Sequence, residues 1–168
     1  MSEHLPITLT LDGRAQRLHA PANAVLADVL RDQLGRTGVK IGCDAAACGA
    51  CTVLLDGLPV ASCATFAFEA DGRRVTTIHG LGAGPGLPSR LQQAFMDFTG
   101  YQCGYCTPGM VVAATALLAE NPAPTREEVR AGLAGNICRC TGYEMIIDAV
   151  MAAAQGTDMT VDRAGQAA

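Results

Sequence analysis

Gly42-Cys43-Asp44-Ala45-Ala46-Ala47-Cys48-Gly49-Ala50-Cys51-Thr52-Val53 is the stretch on which the fold turns. Its cysteines are spaced Cys43-x4-Cys48-x2-Cys51, and Cys63 follows after eleven more residues. That is the plant-type spacing of a 2Fe–2S site. Three thiolates must converge on one compact core from a single loop, and the fourth comes from a neighbouring strand. The intervening residues, Asp44, Ala45, Ala46, Ala47, Gly49 and Ala50, are all small. Small side chains let a loop wrap closely and aim backbone N–H groups at sulfur, which helps set a reduction potential.

Working outward from the loop, two hairpins frame it. Ile7–Leu11 alternates apolar and polar residues, and Asp12-Gly13 separates it from Arg14–Leu18. Thr52–Leu55, Asp56-Gly57 and Leu58–Ser62 repeat the pattern. Asp-Gly between short alternating runs is a hairpin signal. A last strand is expected over Val75–Ile78, after the Asp71-Gly72 turn. Between the hairpins, Leu26, Val29, Leu30 and Leu34 recur at helical spacing. Asn23 is the expected N-cap and Gly35 fits the C′ position. The first half therefore predicts an α+β unit over residues 1–79.

Residues 80–88 are rich in Gly and Pro and are the expected linker. Helical character takes over across residues 89–155. Ser89–Phe98 places Leu91, Ala94, Phe95 and Phe98 on one face. Thr107 is expected to cap a helix with Pro108 at its first position, ending before Asn121-Pro122. Thr125 and Glu128 form a capping box for Thr125–Leu133. A last helix over Tyr143–Ala154 turns Ile146, Ile147 and Val150 inward. Four short helices with short connections predict a small bundle. Residues 156–168 lack apolar periodicity and are expected to be a mobile tail.

A second cysteine set lies in this half: Cys103-x2-Cys106 and Cys138-x-Cys140. Each pair precedes a helix, so the thiolates meet the positive ends of two macrodipoles, which favours a negatively charged site. Two such pairs can enclose a second cluster. Spacing alone also suits a structural zinc ion.

Composition narrows the function classes. The chain has 168 residues, 49% of them apolar, yet few aromatics and no Trp. Two small domains bury little surface each, so metal centres would help to staple them. A net charge of −4 with no basic block gives no nucleic-acid footprint. The longest predominantly apolar stretch, Met110–Ala119, is about half the ~20 residues of a membrane span. The opening Met-Ser-Glu-His-Leu-Pro has neither part of a signal peptide. A soluble, cytoplasmic protein is expected. Its eight cysteines are then better suited to metal than to disulfides.

Four segments together carry a family resemblance. They are Gly42-Cys43, Cys48-Gly49-Ala50-Cys51-Thr52-Val53, Gln102-Cys103-Gly104-Tyr105-Cys106-Thr107-Pro108-Gly109-Met110 and Gly135-Asn136-Ile137-Cys138-Arg139-Cys140-Thr141-Gly142-Tyr143. The chain resembles the small iron–sulfur subunit of the molybdenum hydroxylases, the family of xanthine dehydrogenase, aldehyde oxidoreductase and carbon monoxide dehydrogenase. The resemblance implies a β-grasp, ferredoxin-like domain followed by a four-helix domain, with a 2Fe–2S cluster at each cysteine set. It further implies a large molybdopterin-binding subunit and a medium FAD-binding subunit as partners. Gln102 and Cys140 would contact the molybdopterin of the large subunit, and the ferredoxin-like cluster would lie toward FAD. The implied function is an electron relay between those two centres. A free-standing ferredoxin and a zinc-stabilised interaction module are the rival readings. Arg139 either neutralises charge near the second site or pairs with an acid. Many members of the family carry Gly between the first two cysteines; here Ala45, Ala46 and Ala47 stand there, and Ala is costly at positive φ. His79, where an acid is frequent in the family, is expected to be a solvated linker side chain.

Overall fold

The computed structural model describes residues 4–84 and 86–156. The expected tail from residue 157 onward lies outside them. Strands β1 (His4–Leu11) and β2 (Arg14–Pro21) form the first hairpin, in register from His4↔Pro21 to Leu11↔Arg14. Asp12 and Gly13 have φ of 49° and 79°. Two left-handed residues make the turn whose twist matches its strands. Strands β3 (Thr52–Leu55) and β4 (Leu58–Ala61) repeat it through Asp56-Gly57. Strand β5 (Arg74–Thr76) pairs parallel with β1 and antiparallel with β3, giving the order β2-β1-β5-β3-β4.

Strand-period alternation puts Ile7, Leu9 and Leu11 on one face of β1, where they are buried with Val53, Leu55 and Val75. Against them lies α1 (Leu26–Asp28), which widens into a π-helical turn over Val29–Gln33 and buries Leu26, Val29 and Leu30. Asn23 does not cap α1. Val25 is held extended by a β-bridge to Phe66, so the helix begins only at Leu26, whose N–H donates to the Thr65 carbonyl. Gly35 does take the left-handed conformation just past the helix, at φ 66°.

Two other boundaries shift. Strand β5 stops at Thr76 because the Thr77 N–H and hydroxyl both donate to the Asp12 carboxylate, which also accepts from Arg36 Nε at 2.7 Å. A 3-10 turn, Ile78–Gly80, follows. Strand β4 stops at Ala61 because Ser62 turns into a 3-10 segment, its hydroxyl donating to the Cys51 carbonyl at 2.7 Å.

The second half contains α2 (Arg90–Asp97), α3 (Thr107–Glu120), α4 (Arg126–Gly132) and α5 (Glu144–Gln155). Ser89–Gln92 and Thr125–Glu128 form reciprocal capping boxes. Thr107 is not a cap. Cys106 already has right-handed helical dihedrals and is the N-cap, so Thr107 is the first helical residue and Pro108 the second. Phe95, Met110, Val111, Ile146, Ile147 and Val150 form this half's core. Helix α3 is buried over six successive residues, Gly109–Ala114. A helix covered on all sides has neighbours on all sides: here β3 on one flank and α2 and α4 on others.

The two halves come into backbone contact around Gly49. A methyl group on Gly109 would run into the Gly49 carbonyl oxygen, and one on Gly49 would lie 2.5 Å from the Gly135 oxygen. Asn136, buried in the seam, donates through Nδ2 to the Gly49 carbonyl at 2.9 Å and to Thr52 Oγ1 at 3.3 Å. Tyr105 reaches back to donate its hydroxyl to the Ile41 carbonyl at 2.8 Å.

Candidate metal centres

The loop after Gly42 leaves Cys43 exposed, Cys48 half-buried and Cys51 buried, with Cys63 buried beside it. It turns through three left-handed residues: Asp44 (φ 54°), Ala46 (φ 54°) and Gly49 (φ 69°). Ala46 thus accepts a conformation that glycine would take without cost. The turn aims the Ala45 and Ala47 N–H groups at Cys43 Sγ, each 3.4 Å away. These donors hold the Cys43 thiol down at about 7 from its ordinary 9.0. Burial raises Cys63, which the Ala46 N–H partly offsets.

The second set is assembled from two segments. Cys103 and Cys106 precede α3; Cys138 and Cys140 lie on the connection between α4 and α5. Cys140 Sγ is 3.5 Å from Cys103 Sγ. Burial pushes the Cys106 thiol up to about 12, helped by contact with Cys138. Burial also opposes ionisation of Cys138, yet its thiol is lowered, because the Thr141 hydroxyl and the Cys140 and Thr141 N–H groups all point at it.

The thiols pair within each set. Cys43 meets Cys48 and Cys51 meets Cys63; Cys103 meets Cys140 and Cys106 meets Cys138. Among the described residues no three His, Cys, Asp or Glu side chains form a group that could hold a metal ion. Two separate pairs per set are what a two-iron core requires, two thiolates to each iron. Donor chemistry and pairing fit a 2Fe–2S group at both places.

Gln102 is exposed beside Cys103, and its side chain forms no hydrogen bond among the described residues. Arg139 is exposed and forms no ion pair among them, so it does not pair with an acid. His79 is exposed but not simply solvated: its N–H donates to Thr77 Oγ1, and its ring covers Gly38. Sequence reasoning missed Asn136, Thr141 and Tyr143. Each lies in the quoted Gly135–Tyr143 segment, but only the fold reveals what they touch. Among the described residues, no helix is long and apolar enough to cross a membrane.

A family model described as a 2Fe-2S iron-sulfur cluster binding domain matches residues 9–76, and one described as a [2Fe-2S] binding domain matches residues 77–151. The chain is 45% identical to the nicotine 6-hydroxylase small subunit of Paenarthrobacter nicotinovorans, over 89% of this chain and 90% of that one. It is 46% identical to the xanthine dehydrogenase iron-sulfur-binding subunit of Escherichia coli O157:H7, over 89% and 94%. The chain belongs to the small iron–sulfur subunits of the molybdenum hydroxylases. The fold agrees: quinoline 2-oxidoreductase from Pseudomonas putida 86 superposes with a TM-score of 0.88 at 46% identity, over 92% of this chain and 96% of that one. A molybdenum hydroxylase small subunit is an electron-transfer part of an oxidoreductase. Its two halves are a ferredoxin-like 2Fe–2S-binding domain and a helical one.

Proposed function

We propose that Cys43, Cys48, Cys51 and Cys63 hold one 2Fe–2S cluster and that Cys103, Cys106, Cys138 and Cys140 hold the other. The subunit then relays electrons one at a time between molybdopterin on a large subunit and FAD on a medium subunit of a cytoplasmic enzyme. When bound, the clusters supply the one-electron redox chemistry; the chain supplies ligands, positions and hydrogen bonds. In this reading residues 1–79 are a β-grasp domain, 80–88 a linker and 89–155 a four-helix bundle.

One observation carries the relay. The Ile137 N–H donates to the Cys48 carbonyl at 2.8 Å. Cys48 belongs to the first set, and Ile137 is bonded to Cys138 of the second. A single hydrogen bond thus joins the backbones of a thiol from each site. At the outer end, exposed Cys103 and Cys140 lie together, and exposed Gln102 is next to Cys103 in the chain. Gln102 has both donor and acceptor to offer, as the edge of a pterin requires. Cys140 would approach the same ring system. Cys43, exposed at the other site, would lie toward the flavoprotein in this reading.

The test is affinity purification of the tagged full chain from its own cells. Copurification of a molybdopterin-containing large subunit and a flavoprotein, with about four irons per small subunit and no zinc, is expected. A stable, cluster-loaded chain with no such partners would favour the free-standing ferredoxin. Colourless, zinc-loaded protein would favour the interaction module.

A further inference from the structure

Beyond ligation, the segment after Cys138 is folded into a ring of hydrogen bonds around one sulfur. Gly142 and Tyr143 both take left-handed conformations, at φ 68° and 72°. For glycine that is ordinary; for tyrosine it is strained, and it persists only where its surroundings enforce it. The reversal brings residues 141–143 back over Cys138. The Cys138 N–H donates to the Tyr143 hydroxyl oxygen at 2.8 Å, and the Tyr143 N–H donates to Thr141 Oγ1 at 3.2 Å. Thr141 Oγ1 donates in turn to Cys138 Sγ at 3.1 Å, alongside the Thr141 N–H at 3.4 Å.

A threonine hydroxyl has one proton to give. With its oxygen already accepting from Tyr143, that proton goes to the sulfur. Donation into the oxygen polarises the O–H and strengthens the bond it makes. Cys138 is 8% exposed, so little water competes. Exposed Cys43 differs: its donors include the main-chain N–H groups of Ala45 and Ala47 and no threonine hydroxyl among the described residues.

We propose that Thr141 tunes the reduction potential of the helical-half cluster, by donating its hydroxyl to Cys138 Sγ. The inference rests on ligation by Cys138, the reading given above. Reduction adds negative charge to the cluster and its sulfurs, so a donor aimed at a ligand sulfur favours the reduced form and raises the potential. Thr141 would act through the ligand sulfur and is a positioning residue. Its strained neighbour Tyr143 serves to hold the hydroxyl in place.

The experiment is an EPR-monitored redox titration of the full chain with its copurifying subunits, comparing wild type with Thr141→Val, Thr141→Ala and Thr141→Ser. Val and Ala should keep both cluster signals and move the helical-half midpoint to lower potential. At the wild-type midpoint the reduced-to-oxidised ratio of that cluster should fall about fivefold, the weight of one net hydrogen bond. The ferredoxin-like midpoint should stay where it is, and Ser should restore the wild-type value. Unmoved midpoints in Val and Ala would overturn the proposal, and so would an equal shift of both clusters. Loss of the helical-half signal in both variants would assign the hydroxyl to cluster retention and overturn tuning. Failure of the underlying reading looks different: wild-type protein itself would then lack a second signal.

Discussion

The two cysteine sets reach the same stoichiometry by opposite routes. The first takes three of its thiols from one loop, bends that loop with left-handed Asp44, Ala46 and Gly49, and addresses Cys43 with main-chain N–H groups. The second joins two segments more than thirty residues apart and addresses Cys138 with a side-chain hydroxyl. A site made from one loop carries its geometry in local backbone conformation. A site made from two segments needs the bundle to be folded before its thiols can meet, so its retention is tied to packing.

The sharpest way to break this comparison is to remove one ligand. Cys106→Ser should abolish the helical-half EPR signal and lower iron from about four to about two per chain, leaving the ferredoxin-like signal intact. Loss of both signals, or of neither, would mean the sites are not separate. A large contrast is expected in the metal-free chain as well. At pH 7 Cys43, with its thiol near 7, is about half thiolate, while Cys106, pushed up to about 12 by burial, remains protonated. Iodoacetamide mapping by mass spectrometry should therefore label Cys43 long before Cys106, and between pH 6 and 8 Cys43 should pass from mostly thiol to mostly thiolate while Cys106 stays almost wholly protonated. Comparable labelling of the two would contradict the difference in their surroundings.

Gly109→Ala probes the seam that joins the sites. The added methyl meets the Gly49 carbonyl, and overpacking of this kind costs roughly 1–3 kcal/mol. The melting temperature should drop by several degrees, and magnetic coupling between the reduced clusters should weaken as the halves move apart. Unchanged coupling in a correctly folded variant would deny the seam its spacing role. The smallest effect is expected from Gln102→Ala. Both clusters and their potentials should be retained, while electron transfer from the molybdenum side slows a few-fold, the order of one lost hydrogen bond. Turnover equal to wild type would remove Gln102 from the contact.

Much of this was legible in the residues because it is local. Asp12-Gly13 and Asp56-Gly57 announce their hairpins, since left-handed turn residues and alternation act over a few positions. The capping boxes at Ser89 and Thr125 are equally short-ranged. The start of α1 was misjudged because a bridge from Val25 to Phe66, forty-one residues away, overrides the local preference of Asn23. The Cys-x-Cys pair could be seen, but not its cross-pairing with Cys103 and Cys106, nor the ring closed by Thr141 and Tyr143. Those depend on where α3 and α5 come to rest. Asn136 is the plainest case: a lone amide gives no sign in sequence that it is buried against Gly49.

The glycine contact at the seam bears on how such a chain can change over generations. Gly49 and Gly109 lie in different halves, each matched by its own domain family; a side chain on Gly109 would meet the Gly49 carbonyl, and one on Gly49 would meet Gly135 and Asn136 of the other half. A half exchanged for a distant cousin's, with all four of its cysteines kept, would still have to refit this joint. The two modules fit one another as a matched pair at this joint.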